Sequence, residues 1–394
     1  MGGTLNSIYS NVSFALQLHT KSMMRLQEQA STGARINRPS DDPSAAYRIL
    51  GLESQQRALA KYTAKIAETT DTLEIGLNVM QNMSQVLADE RVRLSQIISG
   101  TYDQTGRERV AEAVNDALEQ IVSFANARHM DQYLFGGGGT SSAPFAVQRE
   151  NGRIIGVTYQ GAVDGRMIEV APGVDAGAFY VGDDLFRVQN RGQSCVYGET
   201  GATVGSGTSS VTGTVWLTVA DANADGTFEL SIDDGRTWVN ADGTANQAVV
   251  DSRTGKVLFV DTTGITQTGV DMVSFEGTHD VFETLINIRD LLFNDRNLSD
   301  GRIDELRNVS MGALDEVRNL LVEKTTSVGS KVGFLDRLRE MLEDIQYNTE
   351  DEASGLRDAD ITQVAIDLSR RQVLYEMSLA VAGKLISISL LDFI

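Results

Sequence analysis

The sequence predicts an α+β, multidomain protein: a long α-helical coiled coil or bundle formed by both termini, with a central β-rich domain inserted between them. Two observations carry this. Apolar residues near both ends recur at three- and four-residue steps, the spacing of one helix face. Between Pro144 and His279 the pattern becomes short apolar runs separated by Gly, Asp and Asn, which reads as strands and turns. Length agrees, because 394 residues exceed one ordinary core. The expected boundaries are 1–43 with 360–394 for a terminal coiled-coil assembly domain, 44–143 with 280–359 for a helical bundle domain, and 144–279 for an inserted β-rich outer domain.

In the first helix, Leu5, Ile8, Val12, Ala15, Leu16, Met23, Leu26 and Ala30 lie on one side, and Gly33 supplies a C-cap. The following turn holds half the prolines of the chain, Pro39 and Pro43. Arg38, preceding a proline, is expected to be extended, and Asp42 with Pro43 marks a helix start. From Ser44 to Tyr133 there is no proline, and Ile66, Leu73, Leu77, Met80, Leu87, Leu94 and Ile98 follow a seven-residue stripe. Gly100 to Gly106 reads as the link to a second helix carrying Val110, Val114, Ala117, Ile121 and Phe124. Within the β segment, Arg153 to Tyr159, Val215 to Val219 and Lys256 to Asp261 are the clearest strands. Trp216 and Trp238 are expected to anchor its core. Helical spacing resumes at Val281, Leu285, Ile288 and Leu292, and continues through Ile303, Leu306, Ala313, Val317, Leu320, Leu335, Leu338, Leu342 and Ile345. The last segment steps by four and three through Ile361, Ala365, Leu368, Gln372, Tyr375, Leu379, Ala382, Ile386, Ser389 and Phe393, a seam that calls for a partner helix.

Charge and composition exclude several classes. With 54 acidic against 34 basic residues the formal net charge is -20, which repels phosphate backbones and anionic lipid. One cysteine, Cys195, permits neither an internal disulfide nor a Cys-based metal cluster. The segment Leu379 to Ile394 is interrupted by Lys384 and Asp392 and is shorter than the roughly 20 apolar residues of a membrane span. Met1 to Tyr9 lack the basic start and apolar core of a cleaved secretory signal, so export would follow another route.

The stretch Leu26-Gln27-Glu28-Gln29-Ala30-Ser31-Thr32-Gly33-Ala34-Arg35-Ile36-Asn37-Arg38-Pro39-Ser40-Asp41-Asp42-Pro43 resembles the N-terminal signature of the flagellin superfamily. Its Arg-Pro-Ser-Asp-Asp-Pro ending is similar to the hook-filament junction branch, as are Asp360-Ile361-Thr362 and the ending Ser389 to Ile394. So are Tyr133 to Gly137, Pro144-Phe145, Tyr159-Gln160-Gly161 and Gly277 to Phe282, at the edges of the β segment. Roughly Val188 to Val270 falls outside the resemblance. The resemblance implies a non-enzymatic structural subunit of the bacterial flagellum, exported through the flagellar secretion apparatus and extracellular. It would join hook to filament and assemble through its terminal helices. The implied partners are other copies of itself, the first hook-associated junction protein, flagellin and a flagellar export chaperone. No cofactor is implied. The assembly interface would comprise Leu5, Ile8, Val12, Leu16, Leu26, Ile361, Leu368, Tyr375, Leu379, Ile386 and Phe393, and an intersubunit turn Arg35, Arg38, Asp41 and Asp42. For those four, local pairing of Arg with Asp is the competing explanation. Two other functions remain open: a flagellin filament subunit, against which the two prolines of the turn argue, and a secreted glycan-binding or hydrolytic module carried by the β insert.

Three features of the insert have sharper and blander readings. Asp221, Asn223 and Asp225, with Glu229, have the spacing of a calcium loop, but Ile232 stands where the closing carboxylate belongs, so a polar β-turn accounts for them better. Ser231 to Trp238 fits the Asp-box pattern, which a structural hairpin explains without catalysis. Cys195 has no nearby base in sequence to make it a nucleophile.

Overall fold

The computed structural model describes residues 2–97, 103–224 and 226–391. Three helices come first: α1 (Gly2–Thr32), α2 (Pro43–Ile97) and α3 (Gln104–Ala125). Three hairpins follow: β1 (Arg128–His129) with β2 (Gln132–Tyr133), β3 (Phe145–Glu150) with β4 (Arg153–Tyr159), and β5 (Arg166–Ala171) with β6 (Val174–Phe179). After the short α4 (Gly182–Phe186) come β7 (Ser194–Tyr197), β8 (Thr203–Val204), β9 (Gly213–Ala220), β10 (Glu229–Ser231), β11 (Val239–Asn240), β12 (Gln247–Val250), β13 (Val257–Asp261) and β14 (Gly269–Phe275). The chain closes with α5 (Val281–Phe293), α6 (Asp300–Arg357) and α7 (Ile361–Leu391). Among the described residues no helix is long and apolar enough to cross a membrane.

The chain forms two compact units, 1–65 with 337–394, and 66–336. This division differs from the sequence boundaries at 43/44, 143/144, 279/280 and 359/360. Periodicity marks changes of element type, whereas compact units follow packing: α2 and α6 each run through two units unbroken, and the strands share a core with the helices of the second unit.

That second unit rests on long-range heptads. Ile66, Leu73, Met80, Leu87 and Leu94 of α2 are all at most 2% exposed, as the seven-residue spacing predicts. On α6 the buried seven-residue stripe is Leu314, Leu321, Val328 and Leu335, while Leu320, expected inside from its spacing, is half-buried. Arg91 of α2 reaches Asp315 of α6 with its Nε and Nη2. Of the expected link at Gly100 to Gly106, residues 100–102 lie outside the described residues, and Gly106 is inside α3, its N–H donating to the N-cap Asp103 at 2.9 Å.

The strands form a five-stranded antiparallel sheet in the order β11-β10-β9-β14-β7 and a three-stranded one in the order β12-β13-β8. Leu217, Val219, Leu230, Val249, Leu258, Val260, Val273 and Phe275 make the core between them. Alternation sends Trp216 and Met272 to the other face of the larger sheet, where they pack on Leu291 of α5 and on Ile303 and Leu306 of α6. Trp216 therefore joins sheet to helices instead of anchoring an isolated β core, and Trp238 is only half-buried. At the root of the insert, the motif residues Phe135, Phe145 and Phe282 form an aromatic cluster with Phe186 of α4, the Phe145 and Phe282 centroids being 5.0 Å apart. The two ends of the insert are thereby brought together.

Candidate functional site

In the first unit, α1 and α7 lie against each other. Their joined ends are tied by an antiparallel bridge between Ala34 and Asp358 and by the Ala359 N–H donating to the Gly33 carbonyl at 2.8 Å, so the helices run antiparallel. Gly33, at φ 72°, closes α1 by donating to Gln29, the left-handed cap its position predicts. Val12, Leu16 and Leu26 of α1, and Leu368 and Tyr375 of α7, are half-buried, and Val364 is buried. Ile361 and Leu379, on the same four-three series, are about half exposed in the single chain. The side chains of Leu5, Ile8 and Ile386, and all of Phe393, lie outside the described residues.

The turn between α1 and α2 is held by its own charges. Asp42 caps α2, accepting from the Ala45 N–H at 3.1 Å. That bond, with help from Arg35 at 3.4 Å, lowers its carboxyl pKa from the usual range. Asp41 accepts from the N–H groups of Asn37 and Arg38, and Arg25 stands 3.9 Å from it. Arg38 pairs with Glu28 at 3.3 Å, and Arg35 also donates to the Leu356 carbonyl at 2.9 Å. All four turn residues thus have partners within the chain, which explains their chemistry locally. Sequence reasoning missed Gln29, a buried amide donating to the Arg35 carbonyl at 2.8 Å.

More consequential is an outward apolar surface. Phe14, Leu18 and Met24 of α1, and Ile366, Val373, Met377 and Val381 of α7, are 50–65% exposed. The α7 set steps by seven, four and four, a second helical stripe beside the seam that faces α1. A helix apolar on most of its circumference is a buried helix, and pairing with α1 covers only part of α7. The signal was present in sequence but masked, because on such a helix several apolar stripes satisfy the same spacing.

In the β segment, Glu229 is buried and accepts from the Ala222 N–H at 2.6 Å and from the Asn223 amide, while Asp221 accepts from the Gly226 N–H at 3.1 Å. These internal bonds account for the loop's residue types as a turn; Asp225 lies outside the described residues. In the Asp-box hairpin, burial pushes the Asp233 carboxyl up, yet hydrogen bonds from Ser252, Thr237 and Ser231 outweigh it and hold the group below the usual range. Cys195 sits on the edge strand β7. His279, buried, has Nδ1 3.1 Å from Glu316 and Nε2 3.4 and 3.3 Å from the hydroxyls of Thr214 and Ser274, joining β9, β14 and α6. Among the described residues no group of three or more His, Cys, Asp or Glu is arranged to hold a metal ion.

Residues 5–140 match the bacterial flagellin N-terminal helical region. The chain is 28% identical over 134 residues to flagellar hook-associated protein 3 of Escherichia coli, covering 34% of this chain and 42% of that protein. It is 28% identical over 123 residues to the protein of the same name from Salmonella typhimurium, covering 31% and 39%. The matched region thus spans about two-fifths of each relative's length. In fold, the chain resembles the flagellar junction protein FlgL of Legionella pneumophila, with TM-score 0.52 at 16% identity, covering 79% of this chain and all of that one. It also resembles FlgL of Xanthomonas campestris, with TM-score 0.50 at 17% identity, covering 77% and 98%.

Proposed function

From the premise that the chain is a flagellin-superfamily protein with a FlgL-type fold, we propose that it is a structural, non-enzymatic subunit of the bacterial flagellum that joins hook to filament. The observation that carries the reading is the outward stripe of Ile366, Val373, Met377 and Val381 beside the α1–α7 pair. A paired helix that still leaves large apolar side chains wet gains free energy when another subunit covers them, about 25 cal/mol per Å² removed from water. On this reading the neighbours are other copies of the chain, the first hook-associated junction protein and flagellin, and a flagellar export chaperone shields the same surface before assembly. On this reading the subunit reaches the outside through the flagellar secretion apparatus. The names of the relatives support the junction over the filament, and the prolines at positions 39 and 43 agree with that choice. Gold-labelled antibody on isolated flagella tests it. The junction reading expects a thin band at the hook end; label along the whole filament would make the chain a flagellin.

A further inference from the structure

A cleft of about 720 Å³ opens between the β3–β4 hairpin, the Asp233 hairpin and the C-terminal end of α5. That volume is within the usual range for a small-molecule site. Its lining includes Trp238, Arg153, Arg296, Asp234, Asp290 and Asp295, drawn from segments that sequence spacing gave no reason to associate. One wall is aromatic. Gly235, at φ 80°, lies against the Trp238 indole so closely that a Cβ there would stand 3.2 Å from Cζ2, which leaves the half-buried ring as part of the cleft wall.

Each charged side chain of the lining has a partner of opposite sign, Glu150 through Arg236 just outside the cleft at 3.4 Å. Arg296 bonds Asp234 at 2.9 Å while lying 4.4 Å from the centre of the Trp216 ring. Arg153 stands 3.7 Å from Asp295 and the same distance from the centre of the Phe293 ring. Arg289, buried, is fixed by the Ile154 carbonyl at 2.7 Å and pairs with Asp290 at 2.7 Å. Both Arg153 and Arg296 are therefore held on one side by an aromatic face and on the other by a carboxylate. A charged ligand would compete with the partner that each of these groups already holds. A neutral ligand rich in hydroxyl groups need not, because paired carboxylates keep lone pairs free to accept and the guanidinia keep N–H groups free to donate.

We propose that this cleft binds a neutral saccharide, stacked on the Trp238 indole and hydrogen-bonded by the Arg153–Asp295 and Arg296–Asp234 pairs. The site is independent of the junction reading, since every residue in it belongs to the second compact unit and none to the α1–α7 pair. Intrinsic fluorescence reports on it directly, because the chain has two tryptophans, one lining the cleft and the other beneath Arg296.

The test titrates the full chain with maltotriose, cellotriose and tri-N-acetylchitotriose, following fluorescence and calorimetry. A saturable change with Kd of about 1 mM or tighter for at least one of them is expected. Asp295→Asn, at an exposed carboxylate whose loss spares the fold, is expected to weaken binding about tenfold, and Trp238→Ala to abolish the calorimetric signal. No saturable response to any of the three sugars would overturn the proposal. So would binding unchanged in Asp295→Asn, or displacement of the sugar by millimolar inorganic phosphate.

Discussion

At Asp233 five donors converge on one buried carboxylate: the Ser231 hydroxyl, the N–H and hydroxyl of Thr237, and the N–H and hydroxyl of Ser252. Asp233→Ala strands those donors, and we expect unfolding in urea to show a loss of about 3 kcal/mol. An unchanged midpoint would contradict the role given to this carboxylate. Because its folded pKa lies below the unfolded value, its contribution is fully present above about pH 4 and is lost as pH falls towards the depressed value. Glu90 has the opposite sign. It is buried on α2 with Oε2 unpartnered, and burial raises its pKa to about 7, against the pull of Arg93. The folded state therefore binds an extra proton between the unfolded value and about pH 7, so Glu90 reduces stability progressively across that window and most fully above it. Glu90→Gln is expected to raise the urea midpoint at pH 8 and leave it nearly unchanged at pH 4. A larger gain at the lower pH would reverse the assignment.

Among the elements, α2 and α7 show how differently one kind of pattern can be used. The α2 stripe was legible because a heptad sustained from Ile66 to Leu94 permits one buried face, and Leu87→Ala there is expected to cost about 3 kcal/mol through a cavity. On α7 the four-three series Ile361, Leu368, Tyr375, Leu379 reads as one seam. The structure divides it, with Leu368 and Tyr375 half-buried, Ile361 and Leu379 exposed, and Val364, which is off the series, buried. This yields a contrast between two substitutions. Val364→Asp puts a charge between α1 and α7 and is expected to expose both helices to limited proteolysis. Met377→Asp, at a position 61% exposed, should leave the monomer's protease pattern intact while blocking its incorporation into flagella. Full incorporation of Met377→Asp would remove the outward stripe from the assembly surface.

For the whole molecule, strands β3 to β14 lie between the changes of periodicity near Pro144 and His279, and the Phe145–Phe282 contact brings the two ends of that segment together. Its dependence on the helices was not legible, because the contacts of Trp216 and Met272 with Leu291, Ile303 and Leu306 pair residues far apart in sequence with no local signature. Joining Ala143 to Asp280 through a short linker would therefore strip apolar cover from α5 and α6, and we expect size-exclusion chromatography to show aggregation instead of a soluble bundle. The cleft at Trp238 was hidden for the same reason: its charged residues come from the β3–β4 hairpin, the Asp233 hairpin, and the end of α5 with the residues just after it. By contrast, Asp42 as helix cap and Gly33 as helix stop were readable, since caps depend on a few adjacent residues. What joins these observations to assembly is the outward face of α7, and site-specific photo-crosslinking from position 373 in assembled flagella interrogates it most directly. A photoreactive residue replacing Val373 is expected to couple to another flagellar subunit, whereas one replacing Val364 should couple only to α1 of its own chain. Crosslinks from position 373 confined to its own chain would contradict assembly through this face.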